Sequence, residues 1–173
     1  MSDFNDTDRS RIILLIGGNL GDRELLLKRC RNLIELLMGQ IIRSSSIYQT
    51  QAWGIEEQAA FLNQAIEIQS PYSPLGLLQQ ISAIEQRLGR VRTKKWAARH
   101  MDIDILVYGE QVINTEVLQV PHPEIQNRRF ALLPLCEIAG DMIHPVFGLE
   151  FSEILDNCKD KLEVSLFDLD NRK

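Results

Sequence analysis

Residues 87–99 hold Arg87, Arg90, Arg92, Lys94, Lys95 and Arg99, six of the chain's 19 Lys and Arg residues, and no acidic residue. The stretch runs into Met101-Asp102-Ile103-Asp104-Ile105-Leu106. On a β-strand, carboxylates at i and i+2 share one face with Cα atoms about 7 Å apart, while Ile103 and Ile105 point the other way, toward a core. Arginine forks and lysines grip phosphate, and paired carboxylates hold Mg²⁺. Side by side, these are two halves of a nucleotide-triphosphate site and point to metal-assisted phosphoryl or diphosphoryl transfer. Each half alone has a plainer reading, the basic run as a solvated loop and the Asp-x-Asp pair as the wet face of a strand. Their adjacency favours chemistry, as does Trp96 inside the run. The whole chain carries a net charge of −5 with these six cations included, so its positive charge is concentrated rather than spread.

The elements that must position this chemistry come from a chain of 173 residues, 45% apolar and 25% charged, the composition of one soluble globular domain spanning 1–173. The acidic balance argues against general nucleic-acid binding, which needs a broad basic face. A small anionic ligand suits a local basic loop better than a polymer does. Cys30, Cys136 and Cys158 are odd in number and widely separated, and they form no metal-binding spacing. They read as buried free thiols in a reducing cytoplasm. The polar N-terminus is followed by an apolar run of residues 12–16 only, so no signal peptide or membrane span is expected.

Residues 11–16, apolar from Ile12 onward, read as a buried strand entering a tight turn at Gly17-Gly18. Asp22 caps a helix that carries Leu25, Leu26, Cys30, Leu33, Ile34, Leu37 and Met38 at helical spacing and ends at Gly39. Residues 41–50 and 61–69 read as two strands, the second visibly alternating, joined by a connection long for a hairpin. Ser73-Pro74 opens a helix that stops at Gly89. The basic loop follows, then a strand over 100–107 and a turn at Tyr108-Gly109-Glu110. Short apolar pieces at 112–113 and 117–120 suit an added hairpin, and 129–138 and 151–158 look helical. The core order is strand-helix-strand-strand-helix-strand, the split βαβ arrangement of a ferredoxin-like α+β sandwich. Its sheet is antiparallel with both helices on one face, leaving the other for ligands and the C-terminal elements.

An ordered series of segments resembles the 6-hydroxymethyl-7,8-dihydropterin pyrophosphokinase family of the folate pathway, over roughly residues 11–148. The series is Ile16-Gly17-Gly18-Asn19-Leu20-Gly21, Ser46-Ile47-Tyr48-Gln49-Thr50, Phe61-Leu62-Asn63, Gly89-Arg90-Val91-Arg92, Trp96-Ala97-Ala98-Arg99-His100-Met101-Asp102-Ile103-Asp104, and Val120-Pro121-His122-Pro123 leading to Asn127-Arg128-Arg129-Phe130. The part from Lys95 onward is the most specific. The resemblance implies transfer of a diphosphoryl group from ATP to the hydroxymethyl of a reduced pterin, with release of AMP. It implies that Asp102 and Asp104 bind two Mg²⁺ ions. Arg90, Arg92 and Arg99 are implied to act on phosphate during catalysis, and Arg99, His122, Arg128, Trp96 and Lys95 to contact ATP.

A pterin is a flat, polar bicycle that calls for aromatic groups on its faces and hydrogen-bonding groups at its edge. The resemblance assigns the faces to Phe61 and Phe130, the edge to Asn63, and nearby contacts to Thr50 and Trp53. Phe61 and Asn63 share a strand face opposite Leu62. Glu85, just before the basic loop, is expected to orient loop residues or meet a ribose or pterin edge. The chain departs from the family pattern at Gly18, where serine is commoner, at Gln51-Ala52-Trp53 in place of a proline-rich stretch, at Lys95, often arginine, and at Ala97-Ala98 in place of Gly-Pro. These departures bear on loop conformation more than on reaction. The expectation is a cytoplasmic monomer acting on small molecules, with neither nucleic acid nor membrane as partner. The alternatives are a non-catalytic ferredoxin-like ligand-sensing module, and a metal-dependent nuclease that the acidic surface disfavours.

Overall fold

The computed structural model describes residues 11–51, 59–89 and 100–168. Strand β1, Ile12–Gly18, is buried along its whole length. The expected turn at Gly17-Gly18 is instead the end of this strand, because Gly17 is paired with Asn63 and Asp102, and Gly18 with Leu62. The chain turns after it, through Gly21 at φ +67°, into α1, Arg23–Leu37. The Asp22 side chain caps that helix by accepting from Leu25 N at 3.0 Å.

Strands β2, Gln40–Ser44, and β3, Tyr48–Thr50, replace the single strand expected over 41–50. Both pair with β4, Phe61–Gln69. The pairing shifts register between Ile41 and Arg43, and again before Tyr48 meets Asn63. Ser45 sits in the gap, where its hydroxyl accepts from Ala65 N at 3.0 Å and Gln64 Nε2 donates to its carbonyl at 2.6 Å. Bulged residues of this kind bend an edge and are invisible to a pattern of period two. The alternation read in β4 misleads for a related reason. The strand is central, and Asn63, Gln64 and Glu67 are buried along with its apolar residues.

Helix α2, Pro74–Arg87, opens on Ser73 as expected and stops at Gly89, φ +85°. Strand β5, Asp102–Tyr108, follows, then the expected hairpin of β6, Ile113–Asn114, and β7, Gln119–Val120. A 3₁₀ turn, Ile125–Asn127, leads to α3, Arg129–Ala139. Helix α4, Phe151–Asp156, and β8, Val164–Leu166, complete the described chain. Neither the 3₁₀ turn nor β8 was legible as an element, since each is a single short piece without period.

The main sheet runs β5-β1-β4-β3-β8, with β2 also on β4, and every pairing is antiparallel. One face packs Ile12, Leu14, Ile16, Ile66 and Ile68 against α1 and α2. The other packs Ile13, Leu15, Ala65 and Val107 against α3 and α4. The far end of α3 is tied down by cations. Arg11 and Arg43 both donate to Ile138 O, at 3.3 and 3.1 Å, and Arg11 grips the buried Glu67 through two bonds of 2.8 and 3.0 Å. Of the three cysteines, all free, Cys30 alone is fully buried and Cys136 and Cys158 are half-buried. Burial pushes the Cys30 and Cys136 thiols up to about 12, far from reactivity at neutral pH. Among the described residues, no helix is long and apolar enough to cross a membrane.

Candidate active site

The sheet's register gathers the site residues. Asp102 on β5 lies opposite Gly17 on β1, Gly17 opposite Asn63 on β4, and Asn63 opposite Tyr48 on β3. Directly opposed residues of an antiparallel sheet share a face, so these four form one row on the face that α3 covers lower down. Adjacent strands are about 4.8 Å apart, which puts Asp102 and Asn63 roughly 10 Å from each other across Gly17. Asp104 lies in the next row, opposite Leu15. Both aspartates are half-buried, and Ile103 and Ile105 between and beyond them are buried in the opposite core as expected.

Gly17 is what opens the row. A Cβ there would collide with the Asn63 side-chain oxygen and stand 2.7 Å from Leu62 O on the neighbouring strand. The missing side chain is therefore the floor on which the Asn63 amide lies. Thr50, buried, accepts from Asn63 Nδ2 at 3.3 Å, which fixes the amide's rotation and leaves one N–H and the carbonyl oxygen for a ligand. Phe61, half-buried, sits two residues before Asn63 on the same face, opposite Thr50. At the row's end, Tyr48 Oη donates to Glu137 of α3 at 2.9 Å, and the same carboxylate takes Ser46 N and Ser46 Oγ, both at 2.9 Å. Burial first, and then Glu137, pushes the Tyr48 phenol up to about 12, so it stays a neutral donor. Nothing in the sequence pairs Ser46 and Tyr48 with a glutamate so far along the chain.

On the other side of the aspartates, Leu106 is an extra residue in β5 where the register slips between Ile13 and Leu14. Its carbonyl accepts from His122 N at 2.9 Å, which anchors His122 beside the strand. Burial, and secondarily the Arg128 charge, pulls the His122 imidazole down to about 4, while Glu124 and Asp102 pull weakly the other way. His122 Nδ1 accepts from Glu124 N at 3.2 Å, so the neutral ring presents Nε2–H as its donor. His122 and Arg128, from the segment before α3, thus converge with Phe130 in its first turn. The Arg128 guanidinium carbon lies 5.9 Å from the centre of the Phe130 ring, within cation–π range.

Glu85 has a structural partner that the sequence did not announce. It is buried on α2, on the opposite face of the sheet, and its Oε1 accepts from Ile103 N at 2.9 Å. Through that bond it holds the backbone between Asp102 and Asp104. Trp53, Arg90, Arg92, Lys95, Trp96 and Arg99 lie outside the described residues. A cleft lined by Asp22, Lys28, Arg31, Ile47 and Gln64 opens beside α1, on the opposite face, and contains none of the residues singled out above.

Fold and site together describe a mixed α/β protein with an antiparallel sheet, one face of which sets paired carboxylates across a glycine from an amide and aromatic groups. A family model for 7,8-dihydro-6-hydroxymethylpterin-pyrophosphokinase (HPPK) matches residues 13–140. The chain is 40% identical over 143 residues to the 2-amino-4-hydroxy-6-hydroxymethyldihydropteridine pyrophosphokinase of Aquifex aeolicus, covering 82% of this chain and 88% of that one. It is 42% identical over 126 residues to the enzyme of the same name from Bacillus subtilis, covering 72% of this chain and 75% of that one. The chain belongs to the HPPK family. Among solved structures, the Plasmodium falciparum HPPK-DHPS with pteroate shares its fold at a TM-score of 0.71 and 15% identity, over 86% of this chain and 42% of that one. The chain thus spans under half the length of that two-part protein.

Proposed function

We propose that the chain transfers the diphosphoryl group of ATP to the hydroxymethyl of 6-hydroxymethyl-7,8-dihydropterin, releasing AMP, in folate biosynthesis. The observation that supports this reading is the single row Asp102–Gly17–Asn63, which puts the first of two paired carboxylates and a buried amide roughly 10 Å apart on one face. In it the pterin lies between Phe61 and Phe130 with its edge on Asn63 and Thr50, and Trp53 contributes from the neighbouring loop.

Asp102 and Asp104 suit Mg²⁺, which is bound through one or two carboxylates with its remaining positions filled by substrate phosphate and water. Two half-buried carboxylates on one strand face are a donor set that fits ions carried in with a nucleotide. When bound, two Mg²⁺ ions supply neutralisation of charge on the triphosphate. The neutral His122 donates from Nε2 to a phosphate oxygen, and Arg128 adds a charged fork. Arg90, Arg92, Arg99, Lys95 and Trp96 complete the grip on ATP.

The pterin hydroxyl oxygen forms a bond to the β-phosphorus while the bond from that phosphorus to the α,β-bridging oxygen breaks. AMP leaves with the electron pair, and the hydroxyl proton passes to solvent. Catalysis on this account is positioning and electrostatics, with no general base required. The strand order and the α1 and α2 packing support a ferredoxin-like βαββαβ core within one domain over 1–173. The chain on this reading is a cytoplasmic monomer that serves small substrates, and its net charge of −5 disfavours nucleic acid as a partner.

The deciding experiment is a single turnover with Mg-ATP and the pterin, followed by nucleotide chromatography. Stoichiometric AMP with a diphosphorylated pterin is expected, and ADP as the main product overturns the reading.

A further inference from the structure

The two walls of the proposed pterin site belong to different layers. Phe61, Asn63 and Thr50 come from the sheet, and Phe130 comes from the first turn of α3. A flat ring is clamped only if the gap between those layers is held, and the beginning of α3 has no side-chain cap of its own. Its N-cap position is Arg128, whose side chain makes no capping bond.

The cap arrives from the C-terminal part of the chain. Arg129 N donates to Asp160 Oδ2 at 3.0 Å. The second oxygen of that carboxylate accepts from Leu162 N, also at 3.0 Å, which locks its orientation. A few residues on, the chain enters β8, which pairs Val164 with Thr50, Ser165 with Gln49 and Leu166 with Tyr48. Phe167 N then donates to Ile47 O at 2.8 Å. One short segment is therefore bonded to the start of α3 at one end and to β3 at the other. The amide that Asp160 holds joins Arg128 to Arg129, the residue before Phe130, and Arg128 and Phe130 are themselves in cation–π contact. Holding that amide restrains the backbone that carries both.

We propose that residues 160–167 are a strap that sets the width of the substrate site, with Asp160 as a positioning residue for Phe130 and Arg128 relative to Thr50 and Asn63. The proposal rests on the ligand roles given above, and the segment lies beyond residues 13–140, the part that the family model matches. A carboxylate on an N-terminal amide is favoured by both hydrogen bonding and the helix dipole. Losing it lets the first turn sample other conformations, and apparent affinity falls by the fraction of time the competent one is populated.

The test measures pterin KM by AMP formation in the intact chain, alongside thermal midpoints. Asp160→Ala is expected to raise the pterin KM about ten-fold. Asp160→Asn, which caps as well as Asp, should restore it to within about three-fold. Ser165→Pro, which breaks the β8 ladder at the strap's other anchor, should raise the pterin KM independently, and it decides the matter alone if Asp160→Ala does not fold. Arg43→Ala loosens the opposite end of α3 and should lower the thermal midpoint while leaving the pterin KM at the wild-type value. A wild-type pterin KM in folded Asp160→Ala or in Ser165→Pro overturns the proposal, and so does an equal rise in Arg43→Ala. Wild-type protein that forms no pterin-dependent AMP removes the substrate reading itself, a failure separate from an active enzyme indifferent to its strap.

Discussion

Gly17→Ala is the sharpest probe of the site because it adds one methyl group where the structure has no room. The new Cβ would collide with the Asn63 side-chain oxygen, stand 3.1 Å from Asn63 Cγ and lie 2.7 Å from Leu62 O. Leu62 O is backbone in a central strand, so β1 and β4 must part locally to clear it, and the Asn63 amide must in addition swing out of its place beside Thr50. Overpacking of this kind costs about 1–3 kcal/mol of stability, which for a chain of this size lowers the thermal midpoint by roughly 2–10 °C. The displaced amide forfeits the two hydrogen bonds it has left for a ligand, each worth about 0.5–1.5 kcal/mol net. Together they amount to roughly ten- to a hundred-fold in pterin affinity. The atoms nearest the added methyl all belong to β4, none to Asp102, so a non-hydrolysable ATP analogue should bind nearly as before. Titration calorimetry with each ligand separately reads both affinities. A folded Gly17→Ala variant with a lowered midpoint and wild-type pterin affinity would refute the argument that Gly17 is the floor under Asn63.

Asp104→Ala should lower turnover by about two to three orders of magnitude while the fold persists; near-normal turnover in saturating Mg²⁺ counts against the metal role. Phe61→Ala and Phe130→Ala should each weaken pterin binding about ten- to a hundred-fold and ATP binding far less, and equal losses for both ligands would mean that the rings only support the fold. His122 gives a pH signature. Its folded value of about 4 lies below the ordinary 6.5, so between them the unfolded chain binds a proton that the folded chain refuses. Its contribution to stability is present above about pH 6.5 and lost as pH falls toward about 4. Urea midpoints at about pH 7.5 and about pH 4.5 should therefore drop more for wild type than for His122→Gln, whereas parallel drops would show that the imidazole is not held neutral by burial.

Local chemistry was legible in the sequence because short-range rules govern it. Asp22 and Ser73 announce helix starts, Gly39 and Gly89 announce their ends, and the i, i+2 spacing of Asp102 and Asp104 puts both on one strand face wherever that strand lies. The ordered series of segments from Ile16 to Phe130, most specific from Lys95 onward, was enough to suggest a family. What no local rule could supply is which strands lie side by side and in what register. That alignment makes Gly17 a floor instead of a turn, sets Asn63 across from Asp102, and bulges β5 at Leu106 so that His122 hangs beside it. It also sets Glu85 as a brace behind Ile103. Glu137 and Asp160 reach the site from 89 and 31 residues away along the chain, through bonds to Tyr48 and to the Arg129 amide. Contacts of that separation leave no period or motif, since a lone carboxylate on a helix or in a tail looks like surface until the chain has folded and brought its partner to it.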